Sequence, residues 1–106
     1  MARAKKDASA LDPKSFAQSL SIDPTDDYEV AECWAVLSND SETQQAMNAA
    51  RVRLNRIVLG DRFADVMSAI RDANGGNLPV AEVNGFVNSV ISESGKLKNS
   101  QGSDGA

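Results

Sequence analysis

Between residues 42 and 73 apolar side chains return every three or four positions. That is the repeat of an α-helix with one buried face, and it commits the middle of the chain to helical architecture. Met47, Ala50, Leu54, Ile57 and Val58 form one stripe over 42–59, and Phe63, Val66, Met67 and Ile70 form a second over 62–73. Ser41 and Asp61 stand where helix caps are wanted. Gly60 separates the stripes. It either ends the first helix or is absorbed into one continuous helix at a cost of about 1 kcal/mol. Val52 and Leu59 lie off the first stripe but align with Phe63, Val66 and Ile70. That alignment keeps the continuous helix open as an alternative and gives it a second apolar edge.

The flanking segments read the same way. Leu11-Asp12-Pro13-Lys14-Ser15-Phe16 offers a capping Asp, a Pro at the first helical position, and apolar residues at the spacing of a hydrophobic staple. It predicts a short helix over 13–20. Ile22-Asp23-Pro24 repeats the phrase ahead of a helix over 24–38. Asp26, Asp27 and Glu29 suit the positive end of that helix, and Val30, Trp34 and Leu37 form its face. Asn74-Gly75-Gly76-Asn77 is the strongest turn signal. Its flanks do not alternate as hairpin strands would, so it predicts a helix–helix link. Pro79 opens a last helix over 79–93, with Val83, Val87, Val90 and Ile91 on its face, Phe86 beside them and Gly95 as its stop.

No stripe can be buried alone, so the helices must pack together. The predicted fold is all-α: one small bundle of three to five short helices with flexible termini. Residues 1–22 form a basic arm with a short helix, 23–94 the helical domain, and 95–106 a flexible tail. With only five aromatic residues, the core rests on Val, Leu, Ile, Met and Ala.

Composition narrows the function. There is no histidine, which removes the commonest general base and zinc ligand. Cys33 is the single cysteine, so neither an internal disulfide nor a Cys/His metal cluster can form. With no basic neighbour in sequence, Cys33 reads as a buried, inert thiol. Asp61 and Asp65, four residues apart, could share a divalent ion, but a cap and a solvated charge are simpler roles. Asp23, Asp26, Asp27 and Glu29 lack the EF-hand spacing and its central glycine. No phosphate-binding loop, dinucleotide fingerprint or nucleophile elbow is present. The expectation is a non-enzyme without catalytic residues, metal or cofactor. No apolar run follows the basic start, and none approaches the ~20 residues that span a bilayer. The expected setting is the cytoplasm or a particle assembled inside the cell.

Charge is divided unevenly. Residues 23–42 carry seven acids and no base, and residues 43–76 carry five arginines against three acids. On a helical wheel the arginines do not share a face. Arg51 and Arg62 flank the apolar stripe on one side, Arg53 and Arg56 on the other. That is the pattern of a core-facing helix with wet cationic edges. The expected function is therefore protein–protein docking or assembly, with an apolar helix face supplying affinity. Arg51, Arg53, Arg56 and Arg62 would meet acids such as Glu29 and Glu32, either within one chain or across a homo-oligomer interface. Val52 and Leu59 would supply the apolar contact, and Trp34 would be an anchor if exposed. Such a chain suits a subunit of a larger assembly, including a viral or phage particle, or a small regulator. The alternative is a DNA- or RNA-binding regulator. Gln44, Asn48, Arg51, Asn55 and Arg62 fall on one polar stripe, and these side-chain types read base edges. The acidic total and the neighbouring acidic block oppose that alternative.

Overall fold

The computed structural model describes the backbone of residues 11–105 and the side chains of residues 11–97. The predicted flexible leader at 1–10 lies outside the described residues. Among the described residues five α-helices follow one another: α1 (Pro13–Gln18), α2 (Tyr28–Leu37), α3 (Gln44–Leu59), α4 (Phe63–Ala73) and α5 (Val80–Gly105). Single 3₁₀ turns at Pro24–Asp26 and Gly60–Arg62 connect α1 to α2 and α3 to α4. Among the described residues there is no strand, and the fold is a small all-α bundle as the sequence predicts.

α2 lies along α3, α1 lies along α5, and α3 and α5 meet between these pairs. The slab they form measures 43 × 42 × 19 Å. Its thickness is about two helices, given diameters of about 10–12 Å each. Leu54, Val58, Val66, Ile70, Val87 and Val90 are sealed at its centre. Phe16 of α1 meets Phe86 of α5 edge to face, with ring centroids 5.5 Å apart. This is the favoured geometry for two aromatic quadrupoles.

Caps decide where the helices start, and here the structure corrects the sequence reading. Asp12 caps α1 as predicted, accepting from the Lys14 N–H and from Ser15 Oγ. Asp23 caps only the 3₁₀ turn. Asp27 is extended and caps α2 by accepting from the Val30 N–H at 3.0 Å. Two capping aspartates in succession split the predicted 24–38 helix, because each carboxylate competes for backbone donors. α3 is capped by Thr43, not Ser41. Asn39 Oδ1 holds the Ser41 N–H in a turn and delays the helix. Asp61 caps nothing. The 3₁₀ turn runs straight into α4, with the Phe63 N–H donating to the Gly60 carbonyl.

Gly60 has φ +58° and ψ −138°, a conformation that ends α3 and rules out the continuous helix. No atom lies within 4 Å of where a Cβ would stand, so the requirement for glycine is one of backbone angle. Gly60→Ala is expected to cost about 1–3 kcal/mol by urea denaturation. An unchanged midpoint would mean that the turn can relax.

Asn74–Asn77 links α4 to α5 as predicted, with Gly75 at φ +64° and Gly76 at φ +100°. Gly95 does not stop α5. The helix continues through it to Gly105, and the Pro24–Asp26 turn packs across it, with Thr25 Cγ2 4.0 Å from where a Cβ would stand. Packing of α1 and this turn on α5 offsets the weak helix propensity of glycine.

Candidate functional site

Each of the five arginines between 43 and 76 has a task inside the chain. Arg53 bridges α3 to α2, with Nη2 donating to Glu29 at 2.7 Å and Nη1 to Glu32 at 3.5 Å. Glu29 holds its pKa above the usual range. This is the within-chain pairing of Arg53 with Glu29 and Glu32 that the sequence admits. Arg56 instead stacks on the Phe63 ring, 4.3 Å from its centroid, and spans the Gly60 corner. Arg62 lies 3.8 Å from the Phe16 centroid and donates to Ser19 Oγ at 2.6 Å and to the Phe16 carbonyl at 3.3 Å. It thereby fastens α1 to the corner after α3. Arg71 Nη1 donates to the Gly76 carbonyl at 2.9 Å and closes the α4–α5 link.

Arg51 ties α3 to α5. Its Nη2 donates to the Asn84 carbonyl and to Asn88 Oδ1, both at 2.8 Å, and its guanidinium stands 5.7 Å from the ring of half-buried Trp34. Asn55, four residues along α3, donates to Asn84 Oδ1 at 2.8 Å. Desolvation lowers the Arg51 pKa below its ordinary value.

The polar stripe of the nucleic-acid alternative is therefore not one free surface. Gln44 and Asn48 bond to each other at 3.0 Å, Arg51 and Asn55 are engaged with α5, and Asn55 is only 6% exposed. Arg62 lies beyond the Gly60 break, turned to α1. The second apolar edge is likewise divided. Leu59 is 2% exposed and belongs to the core, whereas Val52 is 54% exposed.

Val52 sits at an open groove of about 400 Å³. α3 contributes Asn48, Arg51, Val52 and Asn55 to its lining, α4 contributes Phe63 and Met67, and the α4–α5 link contributes Leu78. Val80, Val83 and Asn84 of α5 complete it. Val80, one residue beyond Pro79, is 73% exposed. The sequence reading missed Val80, Leu78, Asn84 and Asn88. Asn84 and Asn88 are spaced i, i+4 and could have been seen as a polar stripe facing another helix. Val80 stands three residues before Val83 and seven before Val87, so the spacing of the α5 stripe could have marked it.

Cys33 is buried, and burial pushes its thiol pKa up, so it is protonated at neutral pH. Asp61 and Asp65 are both exposed. Among the described residues no cluster of three or more acids, cysteines or histidines is placed to hold a metal ion. No described helix is long and apolar enough to cross a membrane. The chain matches no family model, no curated protein and no solved structure.

Proposed function

We propose that this protein is a non-enzymatic docking module that binds another protein through the groove between α3, α4 and α5. One observation carries the reading. Val52 and Val80 stand in solvent beside a concave apolar surface, while the arginines offered by the sequence as an interface are engaged within the chain. Pockets of this size with a few convergent polar groups are the usual form of a binding site. Exposed apolar surface around a groove marks contact with a partner. The salt bridges of Arg53 then set the register of α2 on α3, and exposed pairs of this kind add little to stability.

The test compares the wild-type chain with Val52→Asp as immobilised baits in extract of the cells that make it. Val52→Asp alters only an exposed position, so folding is retained. A partner recovered in near-stoichiometric amount by the wild type and lost with Val52→Asp is the expected result. Equal recovery by both baits would contradict the groove. Mass measured across a concentration range separates a foreign partner from a second copy. Retention of duplex DNA or RNA that falls steeply with salt would favour the nucleic-acid alternative instead.

A further inference from the structure

The charges at the border of the groove constrain what docks there. Its lining contains one ionised side chain, Arg51, and no carboxylate. That is unusual for a chain with fifteen acids against eleven bases. Asp65 and Asp72 of α4 and Glu82 of α5 all lie off the lining, and Glu82 accepts from Asn74. Arg56 adds a second cation, stacked on the Phe63 ring that forms part of the wall. Neither arginine has a carboxylate partner among the described residues.

Arg51 is the more constrained of the two. The acceptors it reaches are a backbone carbonyl and an amide oxygen, both neutral and both on Nη2. Its Nε is sealed from solvent and has no acceptor. Arg51 is half-buried and has no counter-charge among the described residues, so a carboxylate arriving at its accessible edge would offset the partial desolvation of the guanidinium. The planar fork of arginine suits a carboxylate in particular.

We infer that the groove selects an amphipathic acidic segment of another protein, with its apolar side chains against Val52, Met67 and Val80 and a carboxylate on Arg51. Arg51 is then the residue that sets specificity, and the inference rests on the docking function proposed above. A phosphate backbone would also bring negative charge, but it would lay no apolar side chain against Val52 and Val80.

A phage-displayed library of random peptides, panned against the full chain, tests this. The best binder is then synthesised in two forms, one native and one with each Asp or Glu replaced by Asn or Gln. Selected peptides should combine Leu, Ile or Phe with a nearby acid. Removing the acid should weaken binding about tenfold or more, as loss of a charge-assisted bond does. Arg51→Gln should erase the difference between the two forms, and Arg51→Lys should restore part of it. The peptide exchange reads the carboxylate on the unaltered chain, so it stands even if Arg51→Gln disturbs folding. Peptides lost with Val52→Asp but free of acids, or indifferent to their removal, would overturn the acidic partner and leave the groove intact. Peptides indifferent to Val52→Asp, or no enriched peptide at all, would overturn both. A self-associating chain whose dimer is broken by Val52→Asp would replace the foreign segment with a second copy.

Discussion

Phe16→Ala lowers the unfolding free energy by about 3–5 kcal/mol, the usual cost of deleting a buried phenyl ring. Domains of this size hold about 5–15 kcal/mol in total, so the variant stands close to unfolding. α1 has six residues and cannot persist without tertiary contacts. Its anchor is Phe16, 3% exposed, which meets Phe86 on one side and the Arg62 guanidinium on another. Removing the ring deletes the aromatic pair and the cation–π contact together and leaves Ala17 as the only other buried residue of α1. Urea denaturation gives the magnitude, and amide exchange gives the location. The α1 amides should exchange as in an open chain under conditions where α3 remains protected. A loss below about 1 kcal/mol, smaller than buried phenyl deletions show, would mean that α1 is not fixed to α5 in solution.

Leu59→Ala is expected to cost about 2–5 kcal/mol, whereas Val52→Ala stays within about 0.5 kcal/mol. The helical wheel puts these two side chains on one edge, so a reading from periodicity treats them alike. The structure separates them. The chain turns at Gly60 immediately after Leu59, and Leu59 is enclosed at the corner, while Val52 remains two turns back beside the groove. Equal effects in urea would restore the continuous helix and its shared edge. The comparison therefore checks the corner, on which the placement of α4 and one wall of the groove depend.

Much of the architecture was legible because apolar period and turn chemistry are local. The stripes of α3 and α4, the staple phrase at Leu11–Phe16 and the glycine pair at Gly75-Gly76 each state their element within a few residues. Helix starts were less legible. Thr43 against Ser41, and Asp27 against Asp23, are contests between nearby oxygens for the same backbone donors, and spacing does not decide the winner. Gly95 was misread for a different reason. The helix passing through it is held by the Pro24–Asp26 turn, about seventy residues earlier in the sequence.

The candidate site was the least legible part. A helical wheel gives the direction of a side chain from its own axis but not the neighbour that will stand there. An acidic helix beside an arginine helix makes Glu29 and Glu32 the expected partners of Arg53 and Arg56 alike, within or between chains; inside this chain Arg53 bridges to both acids while Arg56 turns to Phe63. The assignments of Arg56 to Phe63 and of Arg62 to Phe16 depend on the Gly60 corner and on the docking of α1, and neither could be read locally. The groove itself joins residues from three helices and a link, so Val52 appeared without Val80 and Leu78.

The central claim is that the arginines hold the fold while the groove around Val52 is left for a partner. Urea denaturation of Arg62→Gln and Val52→Asp, measured side by side, tests it most directly. Arg62→Gln should lose about 1–3 kcal/mol, from one cation–π contact and two charge-assisted hydrogen bonds. Val52→Asp should match the wild type to within about 0.5 kcal/mol. A neutral Arg62→Gln with a strongly destabilised Val52→Asp would contradict the claim, because it would place the arginine in solvent and the valine in the core.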